Sequence, residues 1–154
     1  NISSSLDEKN QQKVFDINLF NMYSALNSSI RFLRDLGGSI IYLSSAAAYP
    51  VRKSNIPYGL SKKFIDELLY ESRSSFEKFK IKTLSVRIGF VDTPLNKGRN
   101  KTPFSSTPLK VSKSIYKSFK KGNKILYHPK SIYFVGKALN FFPRLSTYLD
   151  RKFS

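Results

Sequence analysis

Ser39-Ile40-Ile41-Tyr42-Leu43-Ser44-Ser45 is a short apolar run released by Gly37-Gly38, and thirteen residues beyond Ser45 stands the tyrosine of Tyr58-Gly59-Leu60-Ser61-Lys62. A run of that length and composition reads as a buried strand. After a loop containing Pro50 and Pro57, apolar residues at Leu60, Phe64, Leu68 and Leu69 keep helical spacing, which predicts a helix opening at Tyr58 and reaching about Lys78. Tyr58 and Lys62 then share one helical face. Two further runs, at about 81 to 87 and near Lys124 to Tyr127, bring the strands to three, with helices before (about 8 to 34), between and after. Alternating helix and strand implies a parallel sheet. In open α/β sheets ligands bind beyond the carboxyl ends of the strands, which is where this reading puts Ser45 and Thr93.

The Tyr-x-x-x-Lys pair alone carries little information, because it recurs at Tyr49/Lys53, Tyr116/Lys120, Tyr133/Lys137 and Tyr148/Lys152. Thirteen residues before those tyrosines stand Leu36, Pro103, Lys120 and Val135, so only Tyr58 has a hydroxyl partner at that distance. The residue types suit acid-base chemistry at a carbonyl. A tyrosine hydroxyl titrates near ~10 in water, and a neighbouring ammonium favours its ionised form. Two hydroxyls placed together, those of Tyr58 and Ser45, would stabilise negative charge developing on a carbonyl oxygen and complete a proton transfer to it.

With a strand ending in Ser44-Ser45, the thirteen-residue step to Tyr58 and Ser61-Lys62, the chain resembles the short-chain dehydrogenase/reductase family from about Leu6 to Phe142. The resemblance implies an NAD(P)-dependent oxidoreductase that moves a hydride between the cofactor and a carbonyl or secondary alcohol. Tyr58 would be the acid/base, Ser45 its oxyanion partner, and Lys62 the charge that tunes Tyr58 and binds ribose. Phe15-Asp16-Ile17-Asn18-Leu19 is similar to the family's helix segment whose asparagine holds a water in the proton relay, which makes Asn18 the fourth catalytic candidate. Val86-Arg87-Ile88-Gly89-Phe90-Val91-Asp92-Thr93-Pro94 is similar to the stretch that meets the nicotinamide and phosphates, with Gly89, Val91 and Thr93 in cofactor-binding positions beside Tyr58 and Lys62. Ile88 stands where the family usually has proline, a departure that loosens the turn and removes no reacting group.

No Gly-x-x-x-Gly-x-Gly, Gly-x-Gly-x-x-Gly or Asn-Asn-Ala-Gly occurs in the sequence, although the family holds the cofactor pyrophosphate on such a glycine-rich turn. The 154 residues therefore read as a single partial domain. The fold expected is α/β, a Rossmann-like doubly wound parallel sheet, incomplete, and the C-terminal portion of an NAD(P)-binding domain. Residues 1–93 would be its catalytic part, 94–107 the substrate-lid loop and 108–154 a basic C-terminal part. Such a chain alone is expected to be inactive, and its choice between NAD and NADP is unreadable. The resemblance also implies a homo-oligomer, dimer or tetramer, with the helices at about 8 to 34 and 58 to 78 pairing with their copies in a dimer.

The absence of cysteine removes disulfides and thiolate metal sites, and the lone His128 reads as a strand-end or loop residue, so no metal is expected. No signal segment and no apolar stretch of spanning length are evident, so the default location is cytoplasmic.

Charge is the competing signal. The chain carries +17, split as 13 Lys/Arg against 9 Asp/Glu over residues 1–93 and 14 against 1 over residues 94–154. Lys97, Arg99 and Lys101 in the loop would meet an acidic substrate or simply be solvated. From Ser131 onward aromatic and apolar residues interleave with Lys137, Arg144 and Arg151. That segment fits either a helix packed on the sheet or on a partner subunit, or a peripheral contact with an anionic membrane surface. No nucleic-acid module accompanies the charge, so no specific nucleic acid is expected. Two alternatives to the oxidoreductase remain: a noncatalytic basic surface-binding or interaction protein that retains the fold, and a relative of the nucleotide-sugar epimerases and dehydratases. The latter is suggested by Pro57-Tyr58-Gly59-Leu60-Ser61-Lys62, but those proteins usually carry a longer insertion between serine and tyrosine.

Overall fold

The computed structural model describes residues 8–96 and 104–142. Helix α1 (Glu8–Phe15) runs through a π turn (Asp16–Phe20) into α2 (Asn21–Leu36), and two glycines with positive φ, Gly37 (68°) and Gly38 (144°), turn the chain into strand β1 (Gly38–Ser45). That turn requires glycine twice over. Both dihedrals are ones side chains resist, and a Cβ on Gly38 would lie 2.7 Å from Leu33 Cδ2. A 3-10 turn (Lys53–Asn55) leads to α3 (Ile56–Glu71), α4 (Arg73–Lys78) and strand β2 (Ile81–Ile88). A second 3-10 turn (Pro94–Asn96), α5 (Pro108–Lys120), strand β3 (Ile125–His128) and α6 (Ser131–Phe141) complete the described elements.

The expected strands are therefore present to within a residue or two at each end, and they form one parallel sheet in the order β1-β2-β3. Two helical expectations need correction. The helix expected from Tyr58 to Lys78 begins at Ile56, with Pro57 in its first turn where a missing N–H costs nothing, and it breaks at Ser72 into α3 and α4. The helix expected over 8 to 34 is interrupted by the π turn, where the N–H of Asn21 donates to the Asp16 carbonyl five residues back.

Alternation along the strands sorts side chains onto two faces. Ile40 and Tyr42 of β1 and Ile81 of β2 meet Leu26, Ile65, Leu69 and Phe76 from α2, α3 and α4, with Leu19, Met22, Ile30 and Leu33 at the margin. On the opposite face Leu84 and Val86 are buried, and α5 packs there through the buried Val111. The doubly wound arrangement stops at β1. Its Ile41 and Leu43, on the α5 side, remain 42% and 51% exposed, and β1 is an edge of the sheet among the described residues. The incomplete sheet of the sequence reading is thus visible as uncovered apolar surface beside an unpaired edge.

A buried cation spans the other face. The Arg87 guanidinium on β2 donates through Nε to Asp66 Oδ2 of α3 at 2.8 Å and through Nη1 to the Tyr127 hydroxyl of β3. It also lies 3.6 Å from the centroid of the Tyr49 ring, whose hydroxyl donates to Glu67 Oε1 at 2.8 Å. Burial works against the charge of Arg87, but the Asp66 carboxylate outweighs it, so the guanidinium pKa rises. Asp66 is fully buried. Breaking a buried pair by removing one partner leaves an uncompensated charge. Asp66→Ala is therefore expected to lower unfolding stability by about 3–5 kcal/mol in urea titrations, and a loss below about 1 kcal/mol would mean that water reaches Arg87.

Candidate functional site

Parallel register aligns Ser45 with Ile88, so β1 and β2 deliver their following loops to the same edge of the sheet. There the Ala46 N–H donates to the Ile88 carbonyl at 2.8 Å and holds the two exits together. Ser45 ends β1 half-buried, and its Oγ accepts the Ala47 N–H at 3.1 Å. This is the turn-capping role open to any serine at a strand end. It also occupies an oxygen lone pair and leaves the hydroxyl proton to be donated elsewhere.

Tyr58, the third residue of α3, is brought onto the Ser45 loop by close packing at its neighbour. A Cβ on Gly59 would sit 2.8 Å from the Ala47 carbonyl oxygen and 3.0 Å from Val51 Cγ1, so only glycine permits the approach. One turn further, Lys62 reaches back across to β1. Its Nζ donates to the Leu43 carbonyl at 3.3 Å and lies 5.8 Å from the Tyr58 ring centroid and 5.5 Å from that of Tyr42. Burial holds the Lys62 pKa below that of an ordinary lysine. Ser61, fully buried, donates its hydroxyl to the Tyr58 carbonyl at 2.8 Å and closes the first turn of the helix.

Asn18 sits at the middle of the π turn, half-buried, on a segment that packs against α3. Its Nδ2 donates to the Val14 carbonyl at 3.2 Å, which leaves the side-chain carbonyl as an acceptor. Beyond β2, the Gly89 N–H donates to the His128 carbonyl at 2.9 Å. Val91 forms a parallel bridge with Ser106, in which the Ser106 N–H donates to the Phe90 carbonyl and the Asp92 N–H to the Ser106 carbonyl. Such a bridge turns the N–H of Val91 itself away from Ser106. Asn96 Nδ2 donates to the Val91 carbonyl at 2.9 Å and stands 3.5 Å from Thr93 Oγ1.

The structure thus gathers Ser45, Tyr58 and Lys62 at one strand end, places Val91 and Thr93 on the loop from the neighbouring strand, and sets Asn18 on a turn packed against α3. Sequence reasoning missed four contributors: Arg87, Asp66, Asn96 and Ser106. Ser106 shares a 2.8 Å hydrogen bond with His128 Nε2, and burial lowers the His128 pKa. His128 ends β3, as one of its expected placements had it. A lone histidine near a strand end and an arginine within an apolar run were the available signals, but neither names its partner or its burial. Lys97, Arg99 and Lys101 lie outside the described residues.

Comparison with known proteins bears on the family and the fold. A family model described as short chain dehydrogenase matches residues 1–103. An uncharacterized oxidoreductase of Mycobacterium tuberculosis is 27% identical over 107 residues, 70% of this chain and 43% of that protein. One from Schizosaccharomyces pombe is 37% identical over 84 residues, 54% of this chain and 33% of that protein. The chain therefore spans less than half the length of these curated relatives. Among solved structures, a short chain dehydrogenase from Burkholderia cenocepacia in complex with NADP superposes with a TM-score of 0.81 at 15% identity, covering 94% of this chain and 60% of that one. One from Sphingobium yanoikuyae in complex with NADPH gives 0.72 at 15% identity, covering 90% and 56%. At that identity the likeness concerns the fold.

The lowered Lys62 pKa has a thermodynamic consequence. A lysine whose folded pKa lies below its unfolded value of ~10.4 costs stability wherever it is charged, and the cost disappears as pH rises through the interval between the two values. Lys62→Met is accordingly expected to keep or raise the thermal midpoint at neutral pH and to flatten its rise on the alkaline side. A midpoint lowered at neutral pH would show instead that the bond to the Leu43 carbonyl holds α3 on the sheet.

Proposed function

The chain belongs to the short chain dehydrogenase family, and on that premise we propose that it carries the acid-base part of an NAD(P)-dependent oxidoreductase acting on a carbonyl or secondary alcohol. The observation that carries the reading is the convergence of Tyr58 and Lys62 of α3 on the strand end that bears Ser45.

The residues present fit part of a nicotinamide dinucleotide. Lys62 uses one N–H on the Leu43 carbonyl and has others to offer ribose hydroxyls. The Val91 N–H, directed away from Ser106, and Thr93 beside it suit a carboxamide and a phosphate. Gly89 is tight on the protein side, where a Cβ would meet Ile132 Cδ1 at 2.4 Å, and would offer the cofactor its backbone. The glycine-rich turn for the pyrophosphate is not in this sequence. When bound, the cofactor would supply or accept the hydride.

Tyr58 would give its hydroxyl proton to the substrate oxygen in reduction and take it back in oxidation, while the Ser45 hydroxyl donates to the same oxygen. That donation is what a lone pair already engaged by the Ala47 N–H leaves available. Lys62 would stabilise the charge left on the tyrosine oxygen. Asn18, whose side-chain carbonyl is left as an acceptor, would hold the water that restores the proton.

Tyr58→Phe removes one hydroxyl and is expected to abolish most NAD(P)-dependent turnover in the full-length protein, with folding retained, whereas Tyr116→Phe on the exposed side of α5 leaves it unchanged. Cofactor absorbance follows both. Equal turnover in the wild type and the Tyr58 variant would overturn the assignment.

We further assign the partner in a homo-oligomer to the apolar groove between the helices of the predicted pairing. It has a volume of about 550 Å³ and is walled by Phe15 and Leu19 on one side and by Leu60, Phe64 and Leu68 on the other. Phe64 is 51% exposed, and Phe20, next to Leu19 in sequence, 59%. Phe64→Asp is expected to lower the mass measured by light scattering to that of one copy, and an unchanged mass would place the interface elsewhere.

A further inference from the structure

Helices α5 and α6 repeat one pattern on their outward faces. On α5, Leu109, Lys113, Tyr116 and Lys120 stand at successive steps of four, three and four residues, which aligns them along one side of a helix. On α6 and the residue that caps it, Lys130, Phe134, Lys137 and Phe141 follow the same steps. All eight are exposed, with Leu109 at 63%, Tyr116 at 67%, Phe134 at 69% and Phe141 at 80%. Each helix already buries its other side, α5 through Val111 and Ser118, α6 through Ile132 and Gly136. The outward apolar residues are therefore surplus to folding among the described residues.

Charge decides what fits such a surface. From Pro94 to Leu149 the sequence holds no acidic residue at all. A second copy of the same surface would set lysine against lysine. A nucleic acid would use the lysines, but no nucleic-acid module accompanies them in the sequence. An anionic lipid interface answers both halves of the pattern, since rings and aliphatic chains enter the headgroup boundary while lysines extend to the phosphates and carboxylates around them. No described helix is long and apolar enough to cross a membrane, so the contact is one of lying on the surface.

We propose that the Phe/Lys stripe of α6 forms a docking surface for anionic lipid bilayers; the like stripe of α5 lies across the sheet from it, since α6 packs through Tyr133 on Tyr127 of the α3 side, and takes no part. The proposal is independent of the catalytic reading, because its test uses no turnover. The full chain is mixed with vesicles of phosphatidylcholine alone, or of phosphatidylcholine with phosphatidylserine, and the bound fraction is measured by sedimentation across a salt series. Binding should require phosphatidylserine and weaken with salt. The double variant Phe134→Ala/Phe141→Ala keeps every charge, and its partition should fall about tenfold or more because two buried rings are lost. Both side chains are exposed, so circular dichroism should match the wild type. The proposal is overturned if that variant binds like the wild type, which would mark a nonspecific polycation, or if both vesicle types bind equally. It also fails if no vesicle binds while a DNA or RNA oligonucleotide does.

Discussion

The pairing of Arg87 with Asp66 is the constraint on which the rest of this arrangement depends. One guanidinium in the middle strand of the sheet contacts an element on every side of the site's foundation. It holds α3 through Asp66, β3 through Tyr127, and the loop after Ser45 through the face of Tyr49. Tyr58, Lys62 and Asp66 stand four residues apart on α3, so fixing Asp66 fixes the rotation of the helix about its own axis. That rotation decides whether Lys62 reaches the Leu43 carbonyl or turns toward solvent. A buried ion pair is an expensive way to stabilise a fold, and an apolar trio of similar volume would serve stability as well. What the charge adds is direction, because a planar fork accepts its carboxylate in few orientations. Asp66 Oδ1 stays without a hydrogen-bond partner, as do the buried hydroxyls of Tyr42, Thr83 and Ser85. A polar seam of this kind between helix and sheet suits bridging water better than emptiness.

The strand positions and the parallel order were legible in the sequence because they rest on short-range signals: apolar runs bounded by glycine, proline and polar turns. So was the shared face of Tyr58 and Lys62, which needs nothing beyond helical periodicity. What failed were features whose cause lies in tertiary contact. The break at Ser72 separates Leu69 from Phe76, both of which enter the same core cluster, and no composition change announces it. The π turn at Asp16–Phe20 shifts the helix by one residue while Leu19 keeps its place at the core margin. Neither leaves a trace in propensity. Asn18 was singled out by resemblance, and the structure adds a reason for its setting, since π turns lengthen one coil and re-aim a side chain at small cost.

The buried arginine was invisible for a different reason. Arg87 occupies a strand position whose alternation with Val86 and Ile88 gives no hint of polarity inward, and its partners lie 21 residues before and 40 after it. Sequence periodicity can say that a residue points into the protein. It does not say that a carboxylate waits there. Ser106 and His128 pose the same difficulty at the loop after β2, where a polar run and an isolated histidine become one hydrogen bond that secures the segment facing Val91.

The recurring Tyr-x-x-x-Lys pairs show what a spacing alone can mean. Lys137 lies 5.1 Å from the Tyr133 ring centroid, a closer approach than Lys62 makes to Tyr58, yet the two lysines respond in opposite directions. A hydrogen bond with Tyr133 raises the pKa of the fully exposed Lys137, whereas burial lowers that of Lys62. The first pair is a surface contact in which water competes with the ring for the ammonium. In the second, a β1 carbonyl and two rings replace part of the water, so each change of charge nearby is felt more strongly. Geometry within the motif is nearly the same in both. The difference comes from Gly59 and Asp66, which press the face of α3 that carries Lys62 onto β1 and its loop, while on α6 Tyr133 packs edge-on against Tyr127 and Lys137 stays in solvent. The proposed proton-transfer site therefore depends less on four residues of helix than on the backbone that glycine and the buried ion pair bring against them.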